Sequence, residues 1–145
     1  MIKTFEKLVV VSGGYDPLHV GHIRHFKAAK ELGDKLVVIL NSDRFLKEKK
    51  GYVFMPYLER KEILESLKCI DSVVECIDTD ETIAETLTFL KPDILAKGGD
   101  RDISNLPQKE LDACKLFNIK IVTKVGGEKL QSSSKLVDNA RKITY

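Results

Sequence analysis

One short stretch, Ser12-Gly-Gly-Tyr-Asp-Pro-Leu-His-Val-Gly-His22, gathers residue types that can bind and polarise an anion. Gly13 and Gly14 let backbone N–H groups approach a negatively charged oxygen with no Cβ in the way. A helix that starts after them points the positive end of its dipole at the same place. His19 and His22 lie three residues apart in its first turn, so their rings share a face. Gly21 between them leaves space for a close ligand. The result is two imidazoles over an anion-binding backbone.

Other candidates are spread along the chain. Lys47, Lys49, Lys50 and Gly51 begin a basic segment with few apolar anchors. Residues 47–55 are expected to be a mobile loop, read either as a solvated charge run or as a phosphate-binding segment with Lys47 and Lys50 as its ligands. Lys97-Gly-Gly-Asp100 follows an apolar run, where an α/β sheet presents its ligand edge. Ser132, Ser133 and Ser134 precede the last helix and supply hydroxyl and N–H donors at its start. Asp16 is read as orienting the first loop or a metal, or as a turn and cap former. His25 points well away from His19, because each three-residue step on a helix turns by about −60°. It is read as a solvated helix residue. No cysteine or Glu-x-x-His pattern completes a tetrahedral set, so no protein-bound metal is expected.

The elements that must position these groups are legible as alternating patterns. Apolar runs at 8–11, 36–40, 72–76, 94–96 and 119–122 read as strands, the first two buried on both faces. A helix over about 20–32 carries Ile23, Phe26, Ala29 and Leu32 as one stripe. Another starts near Pro56 and is expected to bury Ile63, Leu64 and Leu67. A third uses Ile83, Leu87 and Leu90 and stops before Pro92. A fourth uses Leu111, Cys114 and Phe117. The last follows the serines with Leu136, Ala140 and Ile143. Strand–helix alternation predicts an α/β fold, a Rossmann-like doubly wound parallel sheet of about five strands. Residues 1–145 read as a single domain.

Composition excludes several classes. The 145 residues include 24 basic and 22 acidic ones, a formal net charge of +2. That balance gives no global signal for nucleic acid or for a membrane surface. No apolar run approaches the ~18 residues of a bilayer span, and the N-terminus is too charged for a secretory signal. Cys69, Cys76 and Cys114 lack C-x-x-C spacing and read as reduced thiols. The expected location is cytoplasmic.

The first stretch resembles the H-x-G-H signature of the cytidylyltransferase-like nucleotidyltransferases. That superfamily includes glycerol-3-phosphate cytidylyltransferase, heptose-1-phosphate adenylyltransferase and pantetheine-phosphate adenylyltransferase. Leu58-Glu-Arg60 looks like the family's E-R helix start, Lys97-Gly-Gly-Asp100 like the loop of the heptose-phosphate branch, and Ser132-Ser-Ser-Lys135 like the S-T-T stretch. The resemblance implies transfer of a nucleoside monophosphate from an NTP to a small phosphorylated sugar or polyol, with release of pyrophosphate. CTP is favoured slightly over ATP, and Mg²⁺ is carried mainly on the NTP phosphates. It implies catalytic roles for His19, His22, Asp16 and Lys50. It implies nucleotide contacts from Gly13, Gly14, Tyr15, Gly21, Lys47, Arg60, Lys97, Gly98, Gly99, Asp100, Ser132, Ser133 and Ser134. The expected partners are the NTP and the acceptor, with a homodimer allowed. Gly14 stands where the cytidylyl enzymes carry Thr, and the arginine of their R-T-x-G-I-S-T-T stretch is missing. Lys124 or Lys129 is the candidate to replace its charge. The alternative is a catalytically weak nucleotide-binding or sensor module on the same fold.

Overall fold

The computed structural model describes residues 6–99, 101–127 and 131–142. The apolar runs form strands β1 (Leu8–Gly13), β2 (Lys35–Leu40), β3 (Ser72–Glu75), β4 (Ile94–Ala96) and β5 (Lys120–Val122). Every neighbouring pair is parallel, in the order β3-β2-β1-β4-β5. Between them run helices α1 (Val20–Lys30), α2 (Asp43–Lys50), α3 (Tyr57–Glu65), α4 (Ala84–Leu90) and α5 (Gln108–Leu116), and α6 (Ser133–Arg141) follows β5. The sheet is therefore the doubly wound α/β arrangement that the alternation predicts. The chain winds outward from β1 to β3 on one side and from β4 to β5 on the other. The order reverses between β1 and β4, and the crevice at their carboxyl ends is where such sheets take ligands.

The central strands have no polar face because both faces are covered. Val9 and Val11 point to one side with Leu36, Val38 and Leu40, against Phe26 and Ala29 of α1 and Leu64 of α3. Val10, Val37 and Ile39 point to the other, against Leu87 of α4 and Cys114 of α5. This is the two-residue period of a strand read out as two separate cores. At the amino edge, the carboxylates of Asp34, Asp71 and Asp93 accept from the N–H groups of Lys7, Leu36 and Leu8 at 2.7, 2.8 and 2.8 Å. They satisfy strand-start donors that have no ladder partner.

Three expectations are corrected. Residues 47–50 are not a loop but the last turn of α2. Ser42 caps that helix, its Oγ accepting from Phe45 N–H at 3.1 Å, and Gly51 ends it in the left-handed region at φ 86°. Its lysines sit in the last turn, where a cation favours the dipole. Leu46 is its one buried residue, too little apolar pattern to reveal a helix. On α3, Ile63 is 39% exposed and Leu64 takes the buried position. On α6, Val137 is buried and Ala140 exposed, so the apolar stripe is rotated from the expected one. Ile143 lies outside the described residues.

These placements fix an expected ranking. Leu95→Ala in β4 should destabilise by about 2–5 kcal/mol, as for a buried leucine that leaves a cavity. Ile63→Ala should cost much less, about 0.5–1 kcal/mol, because much of the side chain is already in water. Urea unfolding of both variants checks this, and the reverse order would refute the assigned faces.

Candidate active site

The carboxyl ends of β1 and β4 and the N-termini of α1 and α6 enclose a cleft of about 430 Å³. It is lined by Gly13, Gly14, Tyr15, Gly21, His19 and His22 from the first stretch, by Lys49 and Lys50 of α2, by Lys97, Gly98 and Gly99, and by Ser132, Ser133 and Ser134. The topology thus brings together segments more than a hundred residues apart in the chain.

The two histidines cap their own helix. His19 is the N-cap residue of α1, with extended backbone at φ −142° and ψ 176°. Its Nδ1 accepts from Gly21 N–H at 3.1 Å, and His22 Nδ1 accepts from His19 N–H at 3.1 Å. This is a capping box built from imidazoles instead of hydroxyl and carboxylate. The rings stack with centroids 3.7 Å apart. Because each Nδ1 accepts a backbone hydrogen, the proton of each neutral ring is assigned to Nε2. Burial, and then the charges of His19, His25 and Lys50, push His22 down to about 3. His22 is therefore a neutral N–H donor across the physiological range. Gly21 serves this geometry first: a Cβ there would lie 3.0 Å from His19 Cε1.

Asp16 and Arg60 are buried and do not line the cleft. The Asp16 carboxylate accepts from Phe54 N–H at 2.7 Å and Met55 N–H at 2.6 Å. Arg60 donates to the carbonyls of Met55, Gly14 and Asn41 at 2.8, 2.9 and 2.8 Å and pairs with Asp43 at 2.7 Å. Both residues tie together the segments that wall the cleft, and neither lines it. Gly14 belongs to the same construction, since a Cβ there would meet Leu46 Cδ2 of α2 at 2.6 Å.

The remaining candidates divide. Lys50 lines the cleft, and burial lowers its ammonium below the ordinary lysine value while the Asp16 charge opposes the shift. Lys47 is exposed on α2 and stands outside the cleft, because each helical residue turns the side chain by about 100°. Lys97 faces the cleft but is committed to an ion pair with buried Glu110, Nζ to Oε1 3.3 Å. Ser132 is the N-cap of α6, its Oγ accepting from Lys135 N–H at 3.1 Å. Ser133 Oγ donates to Pro17 carbonyl at 2.7 Å, which docks α6 against the first loop. Ser134 is exposed at the cleft edge. Lys124 is exposed and does not line the cleft, so it does not stand in for the missing arginine there. Asp100 and Lys129 lie outside the described residues.

Tyr15, expected as a nucleotide contact, and His25, expected in solvent, both have packing partners that the sequence reading did not give them. Tyr15 adopts φ 50°, and its ring packs edge-on to His22 at 4.8 Å and to Phe26 at 5.1 Å. It backs the histidine pair from the core, and burial pushes its phenol well above the usual tyrosine range. His25 is not solvated. Its Nδ1 lies 2.8 Å from Val125 carbonyl, and its ring lines the cleft beneath Gly98. Burial lowers its basicity, opposed by that hydrogen bond and reinforced by Lys97. The signal was present in the three-residue spacing from His22, but a carbonyl contact a hundred residues away was not.

The His22 shift has a sign for stability. The folded ring resists protonation while the unfolded ring takes a proton near pH 6.5, so the unfolded state binds more protons on acidification. The stabilisation is complete above about pH 6.5 and is lost as pH falls from there toward the folded value of about 3. Asn at position 22 keeps an acceptor near Nδ1 without a titrating ring. Thermal midpoints from pH 7.5 to 4.5 should therefore fall less steeply in His22→Asn than in the parent. Parallel curves would show that His22 is not held neutral.

Comparison with known proteins agrees with this geometry. Residues 10–139 match the cytidylyltransferase-like family. FAD synthase of Pyrococcus abyssi is 43% identical over 70% of this chain and 69% of its own length. Bifunctional protein HldE of Citrifermentans bemidjiense is 35% identical over 92% of this chain. This chain spans 27% of that bifunctional protein's length. A crystal structure of the lipopolysaccharide core biosynthesis protein from Thermoplasma volcanium superposes with a TM-score of 0.72 at 26% identity, covering 86% of this chain and all of that one. The histidine pair at the β1–β4 switch point and a match over nearly the whole chain lead to one conclusion: this chain belongs to the cytidylyltransferase-like family of nucleotidyltransferases.

Proposed function

We propose that this chain transfers a nucleoside monophosphate from an NTP to a small phosphorylated acceptor and releases pyrophosphate. The observation that supports this reading is the pair His19 and His22, whose Nδ1 atoms accept backbone N–H groups and which both line a cleft bounded by two helix N-termini. A phosphate oxygen of the acceptor attacks the α-phosphorus of the NTP. A new Pα–O bond forms opposite the bond to the β-phosphate bridging oxygen. That bond breaks, and pyrophosphate leaves with its electron pair. No covalent enzyme intermediate is needed, so the protein contributes position and charge stabilisation. His19 and His22 donate to phosphate oxygens as negative charge shifts onto them, and Lys50 adds a cation at the same end.

The described residues do not gather into a protein-held Mg²⁺ site. Both Asp16 oxygens already accept backbone N–H groups, and no cluster of three candidate ligands occurs among the described residues. A divalent ion would enter with the triphosphate and be held by its oxygens. Sequence alone favours CTP slightly; relatives named FAD synthase move the choice to ATP, because FAD contains an AMP unit joined to a flavin phosphate. FMN therefore joins sugar and polyol phosphates as an acceptor class.

Pyrophosphate release from ATP and from CTP, against a panel of FMN, sugar phosphates and polyol phosphates, tests the reading. Turnover should appear with ATP and one acceptor class. His19→Ala and His22→Ala should each lower kcat by on the order of 10²–10³, as for loss of one oxyanion donor, with KM moving much less. Lys50→Ala should be more damaging than Lys47→Ala. Near-normal kcat in both histidine variants would refute the mechanism. NTP binding with no turnover on any acceptor would instead support a nucleotide-binding module.

A further inference from the structure

The three histidines of α1 fall into two opposite tautomers. In His19 and His22 each Nδ1 accepts a backbone N–H, which leaves Nε2 as a donor. In His25 the partner of Nδ1 is the Val125 carbonyl, 2.8 Å away, and a carbonyl can only accept. His25 Nδ1 therefore carries the proton, and neutral His25 has its lone pair on Nε2. That nitrogen has no hydrogen-bond partner among the described residues. Two glycines pack closely on this residue: a Cβ on Gly98 would lie 2.8 Å from Nδ1 of the ring, and one on Gly126 would lie 2.8 Å from the backbone Cα. With Nδ1 turned onto Val125, the ring edge carrying Nε2 is the one left for the cleft that His25 lines.

We propose that His25 reads the base of the nucleotide, its Nε2 accepting a hydrogen bond from the exocyclic amino group of adenine or cytosine. The inference rests on the cleft holding an NTP, as argued above. Phosphates belong with the N–H donors, the lysine of α2 and the start of α6. An NTP laid from that end extends its base toward the exits of β4 and β5, where His25, Gly98 and Gly126 lie. An acceptor at that point suits an amino group. It opposes the 6-oxo group of a hypoxanthine or guanine base and the 4-oxo group of uracil, because two acceptors would face each other without a hydrogen. The lock on Nδ1 supplies the selectivity. A ring free to exchange tautomers would offer a donor to an oxo base as readily as an acceptor to an amino base.

The test is calorimetric titration of the whole chain with Mg-ATP, Mg-inosine triphosphate and tripolyphosphate. The parent protein should bind ATP about tenfold more tightly than inosine triphosphate, the scale of one hydrogen bond made against one left unmade. His25→Asn keeps an amide donor for the Val125 carbonyl and removes the acceptor on the cleft side. It should bring the two nucleotides within about twofold to threefold of each other and leave tripolyphosphate binding unchanged. A parent protein that binds both nucleotides equally, or an Asn variant that keeps the full preference, overturns the assignment while leaving nucleotidyl transfer in place. Failure of the parent to bind ATP or tripolyphosphate at all overturns both readings. Should the Asn variant not fold, nitrogen-15 spectra of the parent decide: the His25 Nε2 resonance should shift with ATP and stay in place with tripolyphosphate. A resonance that ATP does not move refutes the contact.

Discussion

A buried arginine is the constraint on which the site depends. Arg60 is 1% exposed and brings a permanent charge beneath the cleft. An uncompensated charge there would cost several kcal/mol, so its donors must all find acceptors. Four contacts hold it: the Asp43 carboxylate, the carbonyls of Gly14 and Asn41 at the exits of β1 and β2, and the Met55 carbonyl in the segment between α2 and α3. Asp16 grips the same segment with opposite polarity, accepting from the N–H groups of Phe54 and Met55. Residues 51–56 are therefore held from both directions. The position of α2, and with it Lys50, follows from satisfying two buried charges that never meet.

The capping of α1 shows how local backbone needs become chemistry. The first N–H groups of a helix lack partners, and usually a serine or an aspartate accepts from them. Here imidazole nitrogens accept instead, which satisfies the helix start and assigns the proton of each neutral ring to Nε2. Both rings are thus held in one orientation by the backbone of their own helix. Tyr15 backs His22 from below, with its ring edge 4.8 Å away. Its hydroxyl is buried and finds no partner among the described residues, a cost of about 1–3 kcal/mol carried next to the functional pair. Such costs concentrate at functional sites.

Docking of α6 onto the first loop joins the two ends of the chain. Ser133 donates to the Pro17 carbonyl, and Arg141 lies over the Tyr52 ring at 4.8 Å. The first contact sets the N-terminus of α6 against the histidine stretch. The second ties its far end to the segment that Asp16 and Arg60 hold. A site of this kind is assembled by hydrogen bonds between loops, while the sheet beneath supplies the rigid frame.

The sequence by itself determined the sheet, the order of its elements and the family. Runs such as 36–40 can be apolar throughout only if both faces are covered, and covered strands alternating with helices leave few topologies. It also placed His19 and His22 together, because a three-residue spacing at a helix start is a local fact. Tertiary structure alone decided what depends on distant partners. The sequence named Arg60 and Asp16 but not the groups they hold, because their acceptors and donors come from other elements. Helix α2 was hidden because a single buried leucine gives no period to detect. Lys97 kept its place at the cleft but met Glu110, thirteen positions on in helix α5. His25 changed from a solvated side chain to a locked one through a carbonyl on a loop that only the folded sheet brings near. Helical periodicity records which side of its own helix a residue occupies; the atoms waiting on that side are set by the packing of segments far apart in the chain.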